Sequence, residues 1–438
     1  MRILVIAFFL APFCCLSQST PDTLQHIIPG RANSPAQQHK PYIILISADG
    51  FRYDLADKYH ATHLLELRSR GVAAASMKPV YPSLTFPNHY SIATGLYPTH
   101  HGLVSNAFYD RQKQKIYQIR DRSAVTDSSW YGGTPIWVLA EQQRMLTASF
   151  YWVGTEAAIQ GVRPTYYYLF NDRIGIDDRI QVVKDWLTLP EEKRPHLITF
   201  YLPQVDHEEH MHGPDSKEAE TAVHLVDDCI GKMVSVVDSL HLPVSFIFLS
   251  DHGMALDDTA HTIPMPPVID TSKFIIPFED AVLNLYAKDK KDILPTYQAL
   301  KRTAVDFDVY LTGSSEDRAN AAGVADAQYP DAQTPARWHY RAADDRYHRL
   351  GDIILVSKFP KIFHFSTRPP IPGMHGFDND LPDMQASFYA WGPAFRRQLK
   401  IPSFDNVQVY PLIAKILGLT ITEKIDGSPA ALQNILVR

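Results

Sequence analysis

Three cysteines in 438 residues leave little room for covalent cross-links. Cys14 and Cys15 fall in an N-terminal segment that reads as removable, so Cys229 would stand alone and no internal disulfide could form. Stability must then come from a large apolar core, which a chain that is 45% hydrophobic can supply. Long apolar runs are missing too. No stretch beyond the N-terminus approaches the roughly 20 residues that a bilayer-spanning helix needs. Positive charge is also sparse: 42 Lys and Arg face 48 Asp and Glu, the net charge is −6, and no basic cluster is longer than Lys288-Asp289-Lys290-Lys291. A groove for long nucleic acid normally carries a basic stripe, so such polymers are excluded as the main substrate. The chain also lacks a Gly/Ser linker, a low-complexity tract and an internal repeat.

What the N-terminus does have is Arg2, the apolar run Ile3 to Leu10, and small residues around Ser17, the layout of a signal peptide over 1–17. Export to a periplasm or the exterior follows, with no integral membrane segment in the mature chain. Residues 18–40 are polar and Pro-containing and read as a flexible lead. The rest, 41–438, reads as a single domain.

Three apolar runs close on a carboxylate: Ile43 to Asp49, Leu197 to Asp206, and Phe246 to Asp251. Short continuous apolar runs bounded by turn formers are what strands covered on both faces look like, and ligands gather beyond the carboxyl ends of such strands. Helices are expected over Tyr53 to Arg70 and over Asp215 to Leu240. In the second, Ala219, Ala222, Val223, Val226, Ile230, Met233 and Val237 share a face, and Asp215 with Glu218 has capping-box-like spacing. Strand–helix alternation predicts an α/β fold with a doubly wound, mostly parallel central sheet flanked by helices. Residues of about 255–370 carry only short runs and read as a smaller α+β insert, whose Arg337, Trp338 and Tyr340 are candidates for an entrance.

Three Asp side chains at one sheet edge would repel one another unless cations held them. Asp206 and His210 lie four apart, close enough to share an ion on one helical turn. His207, Glu208, Glu209 and His212 are rivals in the same segment. Asp251-His252 adds two adjacent donors, and His375 sits in Gly373-Met374-His375-Gly376, where glycines let the backbone bend around a ligand. Counting donors gives two ions, one on Asp206, His210 and His375, the other on Asp49, Asp251 and His252. Mixed oxygen and imidazole donors suit zinc or a similar divalent transition metal better than calcium or magnesium, and three protein ligands per ion leave an open position. Two such ions can serve the attacking and leaving oxygens of a displacement at phosphorus.

The segment Ser83-Leu84-Thr85-Phe86-Pro87 offers a nucleophile. Pro87 fits the first position of a helix, which puts Thr85 just outside its N-terminus, where positive potential favours an alkoxide or a phosphate. Asn106 supplies an amide that could hold a phosphoryl oxygen.

These segments together resemble the nucleotide pyrophosphatase/phosphodiesterase family of the alkaline phosphatase superfamily. The similar stretches are SADGFR around Asp49, YPSLTFPNHYSIATGLYPTHHGLVSN around Thr85 and Asn106, WYGGTPIW from Trp130, GTEAAIQGVRPTYY from Gly154, the run Asp206 to Pro214, SDHGM around Asp251 and MHG around His375. The resemblance implies an alkaline phosphatase-like fold and two Zn2+ ions. Thr85 would be the nucleophile, sharing one zinc with Asp49, Asp251 and His252, while Asp206, His210 and His375 hold the other. Asn106 would bind a non-bridging phosphate oxygen. Phe86, Phe170 and Tyr201 match positions that contact a nucleobase, and Tyr166, Tyr167 and Tyr168 read as a packed aromatic strand. The implied activity is hydrolysis of a small nucleotide phosphodiester or pyrophosphate through a covalent threonine intermediate, releasing a nucleoside monophosphate. Relatives that cleave choline or lysophospholipid diesters, or phosphate monoesters, supply the alternative readings.

Overall fold

The computed structural model describes residues 22–312 and 333–437. The expected signal peptide lies outside the described residues. Every residue of Tyr42–Ala48 is buried, and the strand pairs in parallel with Leu197–Leu202 on one side and Val244–Leu249 on the other. Its side chains alternate between two cores. Ile44 and Ile46 pack with Val223, Val226 and Ile230 of the helix Lys217–Asp238. Ile43 and Leu45 point the other way, into a core containing Ile92, Trp137 and Ile413 from the helices Thr85–Thr94, Ile136–Gln142 and Val409–Leu417. Because both faces are covered, the strand reads as a continuous apolar run, and each buried Ile or Leu contributes about 1.5–3 kcal/mol.

Nine strands form the sheet, in the order His26–Ile27, Tyr166–Tyr168, Thr147–Phe150, Leu197–Leu202, Tyr42–Ala48, Val244–Leu249, Phe388–Trp391, Val72–Ala74, Leu399–Ile401. The pairings of His26–Ile27 and of Phe388–Trp391 are antiparallel and the others parallel. This is the doubly wound, mostly parallel architecture anticipated from the sequence. A second sheet, of Phe274–Ile275, Val282–Ala287, Ile353–Ser357 and Phe307–Leu311, is antiparallel throughout and encloses its own small core with the helix Ile293–Thr303.

Several local expectations change. From residue 22 the lead is docked rather than flexible: His26–Ile27 extends the sheet edge, Trp186 Nε1 donates to Gln25 at 2.7 Å, and the Asn33 amide donates to the carbonyls of Glu191 and Arg194. Its polar side chains bond neighbouring backbone, so polarity there does not mean solvation. The expected helix over Tyr53 to Arg70 is two, Leu55–Lys58 and Thr62–Arg70, separated by His60 at φ +54°. A distant carboxylate makes the break possible, because Asp227 accepts the N–H groups of His63 and Leu64 at the second helix's start. The long helix begins at Lys217, capped by Ser216 accepting from Ala219 N–H, while Asp215 pairs instead with Lys58. Trp338 and Tyr340 are buried against Tyr81, and Arg337 pairs with Asp378 and Asp380, so only Arg337 is exposed.

Candidate metal centre and nucleophile

Parallel register carries the carboxylates to one place. Ala48 pairs with Leu202 and Ser47 with Leu249, so Asp49, the helix Gln204–His212 and Asp251 all begin at the same sheet edge. Asp206 N–H donates to Asp49 carbonyl at 3.1 Å. The approach depends on Gly50 at φ +71°, where an added Cβ would lie 2.9 Å from Asp206 Cα.

His210, His252 and His375 are set alike. Their Nδ1 atoms face the carbonyls of Gly373 at 2.7 Å, Gly253 at 3.0 Å and Ser83 at 2.8 Å. Those contacts place the proton on Nδ1 and turn Nε2 inward, the arrangement that orients histidine ligands in metal sites. Asp206 Oδ1 then lies 3.4 Å from His210 Nε2 and 3.6 Å from His375 Nε2, with 3.2 Å between the two nitrogens. Around His252 Nε2 stand Asp251 Oδ2 at 3.0 Å, Thr85 Oγ1 at 3.4 Å and Asp49 Oδ1 at 3.6 Å. A tetrahedron with metal–ligand bonds of about 2.0–2.1 Å has edges of about 3.3 Å, whereas an octahedron of that size has edges of about 2.9 Å. The contacts among Asp206, His210 and His375 match the tetrahedral spacing, whereas those around His252 run from 3.0 to 3.6 Å and span both values.

The carboxylate oxygens turned inward, Asp49 Oδ1, Asp206 Oδ1 and Asp251 Oδ2, are buried and lack a well-formed hydrogen bond among the described residues. Orphaned buried carboxylates of this kind are costly unless a cation meets them, so the donor set fits divalent ions. Three-donor groupings of Asp206, His210 and His375, of Asp49, Asp206 and His252, and of Asp49, His89 and Asp251 all close within ligand reach.

Charge follows the same pattern. Burial pushes the Asp49 carboxyl well above its ordinary range, and the neighbouring Asp251 and Asp206 charges push it further. Burial also acts against ionised Asp206, but His210 and His375 outweigh it and hold this carboxyl at about 2. His210 is desolvated yet raised to about 9 by Asp206, while burial and the neighbouring His252 and His210 lower His375 to about 3. His375 is therefore already the neutral imidazole that a metal requires, and His210 must release a proton on metal binding.

Thr85 is the first residue of the helix Thr85–Thr94 rather than the residue before it, with Pro87 two residues further in. Asn88 fixes the approach, donating to the carbonyls of Pro82 and Leu84 and accepting from Val80 N–H. Thr85, Asn106, Asp206, His210 and His375 line one cleft of about 670 Å³. Asn106 Oδ1 accepts the Phe86 N–H at 3.0 Å, which leaves the amide NH2 as its donor. Tyr201 donates its hydroxyl to Asp49 Oδ2, and its ring lies 6.2 Å from that of Phe170, which is 48% exposed. The Phe86 ring packs toward Tyr117, with 6.3 Å between ring centroids. Tyr166, Tyr167 and Tyr168 are buried in their strand. Of the rivals near Asp206, Glu208 and His212 pair with each other, His207 lines the cleft and Glu209 is fully buried.

The sequence reading passed over His89. Its Nε2 meets Ser47 Oγ at 2.9 Å and its Nδ1 lies 3.0 Å from the Thr85 carbonyl and 3.2 Å from Asp251 Oδ2. The signal was its position four residues after Thr85 on the same helix. Arg120, Glu279 and Asp280 of the cleft lining were also missed, and no local pattern marks them.

The type I phosphodiesterase/nucleotide pyrophosphatase family profile matches residues 43–378. Mouse ectonucleotide pyrophosphatase/phosphodiesterase family member 1 is 32% identical over 92% of this chain and 43% of its own length. A pyrophosphatase/phosphodiesterase of Schizosaccharomyces pombe is 32% identical over 90% of this chain and 80% of its own. The chain thus spans less than half of the mouse, rat and human relatives it matches. Among solved structures, murine ectonucleotide pyrophosphatase/phosphodiesterase 5, as an inactive threonine-to-alanine variant in complex with AMP, superposes with a TM-score of 0.80 at 26% identity, covering 91% of this chain and 100% of that one. The alkaline phosphatase-like fold follows from that match. This chain belongs to the type I phosphodiesterase/nucleotide pyrophosphatase family.

Proposed function

We propose that the chain, as one catalytic unit over 41–438, hydrolyses nucleotide phosphodiester or pyrophosphate bonds through a covalent Thr85 intermediate, and that it is exported. The observation that carries this reading is the gathering of buried Asp and His donors beside Thr85 Oγ1, which lies 3.4 Å from His252 Nε2. Two zinc ions, held by Asp206, His210 and His375 and by Asp49, Asp251, His252 and Thr85, would supply Lewis acidity that acidifies the threonine hydroxyl and water and offsets charge on the leaving oxygen. The Thr85 oxygen forms a bond to phosphorus as the bond to the departing alcohol or phosphate breaks; water then cleaves the threonine ester and frees a nucleoside monophosphate. Asn106 donates to a non-bridging oxygen as its charge develops. Phe86, Phe170 and Tyr201 contact the base. The relatives' names and the AMP complex support a nucleotide substrate. Export is supported by the N-terminal composition, by a venom phosphodiesterase of Crotalus adamanteus among the relatives, and by no described helix being long and apolar enough to cross a membrane.

Zinc-loaded protein should hydrolyse p-nitrophenyl thymidine 5′-monophosphate, and Thr85→Ala should lose more than about 10³-fold in kcat while keeping its zinc. A variant as active as wild type removes the nucleophile. Faster turnover of p-nitrophenyl phosphate than of bis-p-nitrophenyl phosphate would make the chain a monoesterase, using Arg120 in the cleft.

A further inference from the structure

The connection between the strand Tyr166–Tyr168 and the helix Ile176–Thr188 carries Phe170, whose half-exposed ring stands 6.2 Å from that of Tyr201. Tyr201 in turn holds Asp49, so an open aromatic face is set beside the metal centre. Connections of this kind move unless their backbone groups are tied down. Side chains do the tying here. Glu156 Oε1 accepts the Phe170 N–H at 2.6 Å, and the Asn171 amide donates to the Asp22 carbonyl at 3.1 Å while its Oδ1 accepts the Arg173 N–H at 2.8 Å. Tyr151 meets the Phe170 ring edge-to-face at 5.3 Å, held there at φ +72°, a conformation that aromatic residues rarely adopt.

The Glu156 carboxylate spans two partners, the Phe170 N–H and Arg122 Nη1 at 2.5 Å. It stands on a turn closed by the Thr155 N–H on the Trp152 carbonyl and by the Ala157 N–H on the Gly154 carbonyl. That turn is fastened to the nucleophile's helix: Trp152 Nε1 donates to the His89 carbonyl at 3.3 Å, and a Cβ added at Gly154, φ +90°, would touch the Tyr90 ring at 3.2 Å. One short run of chain therefore grips the helix Thr85–Thr94 at one end and the Phe170 backbone at the other. A charge-assisted bond to a backbone N–H is shorter and stronger than a neutral one, which suits a carboxylate to this task.

We propose that Glu156 and Asn171 are positioning residues for substrate recognition: they hold the Phe170 ring at a fixed place relative to Thr85, so that a base stacked on the ring brings its phosphorus to the nucleophile. The inference rests on the nucleotide phosphodiesterase reading above. Glu156 and Asn171 are each only 5% exposed, so they act through Phe170 rather than on the substrate.

The test compares p-nitrophenyl thymidine 5′-monophosphate with methyl p-nitrophenyl phosphate, which has the same leaving group and no base, on the zinc-loaded full chain. Glu156→Ala should raise KM for the thymidine ester about tenfold, part of the roughly 5- to 150-fold that one stacking platform is worth, with kcat within about twofold and kcat/KM for the methyl ester unchanged. Glu156→Gln keeps an acceptor for the Phe170 N–H and should restore the wild-type KM. In a Phe170→Ala background, Glu156→Ala should add nothing, since the ring through which it acts is gone. Asn171→Asp keeps the acceptor for the Arg173 N–H, loses the donor to Asp22 and should shift KM in the same direction; it carries the test if Glu156→Ala does not accumulate as folded protein. Equal losses on both esters would make the two residues structural only and overturn the proposal, as would an undiminished effect of Glu156→Ala in the Phe170→Ala background. If the wild type handles the thymidine ester no better than the methyl ester, the nucleotide reading itself has failed and the positioning role falls with it. A preference for the thymidine ester that Glu156→Ala and Asn171→Asp leave intact removes the positioning role alone.

Discussion

Asp49→Asn should stabilise the metal-free protein and destabilise the zinc-loaded one. Asp49 offers an oxygen within 4.8 Å of Asp251 and His89 donors, and burial, Asp251 and Asp206 all raise its carboxyl. Two carboxylates 4.8 Å apart repel by about 3.5 kcal/mol at an effective dielectric constant near 20, a figure that a shorter separation raises and uptake of a proton lowers. With an unfolding entropy of about 2.1 cal/mol/K per residue over roughly 400 residues, this amounts to about 4 °C in Tm. Since the folded-state pKa is raised, the native protein binds the proton more tightly than the unfolded chain. The apoprotein therefore loses stability as pH rises from the ordinary Asp range through the raised value, and the gain from Asn is largest above it. Zinc reverses the order. An ion at 100 times its dissociation constant stabilises by about 2.7 kcal/mol per site, and the variant forfeits much of that at the Asp49 site. Asn keeps an acceptor for the Tyr201 hydroxyl, so packing is conserved. Thermal melts at pH 8, with chelator and with zinc, should therefore cross. A variant that melts below wild type in both conditions would refute the electrostatic argument on which the metal assignment rests.

Phe86→Ala should raise KM for nucleotide substrates by about 5- to 150-fold, the equivalent of 1–3 kcal/mol of lost stacking, and change kcat little; kinetics with p-nitrophenyl thymidine 5′-monophosphate would show it. Gly50→Ala should cost about 1–3 kcal/mol from the positive φ alone. Because its Cβ presses on Asp206, it should also weaken zinc retention on dialysis, measured by metal analysis. His89→Ala should leave the ligand count intact but free both Asp251 and the Thr85 carbonyl. We expect kcat to fall with zinc still bound, and His89→Gln to restore part of it.

The legible part of this protein was what short-range chemistry encodes. Strands with both faces buried must be continuously apolar, and Asp49, Asp206 and Asp251 stood out because each closes such a run. The amphipathic face of Lys217–Asp238 was equally plain. Helix ends were less so: Thr62–Arg70 starts where it does because Asp227, far along the chain, accepts its N–H groups, and no window around residue 60 contains that fact. The docked lead misread as flexible for the same reason, its hydrogen-bond partners lying more than a hundred residues away.

Residue identity and local spacing thus determined the donors, the nucleophile candidate and the class of sheet, since these depend on periodicity and on chemistry carried by neighbouring residues. Tertiary structure alone decided that the donors of Asp49, Asp206, Asp251, His210, His252 and His375 meet at one place, that His89 ties Thr85 to Asp251, and that Glu279 and Asp280 line a cleft with His210. Those relations are set by the parallel register of strands distant in sequence and by the ribbon that returns His375 to the site. Distances of 3 to 4 Å between side chains hundreds of residues apart exist only once that register is fixed.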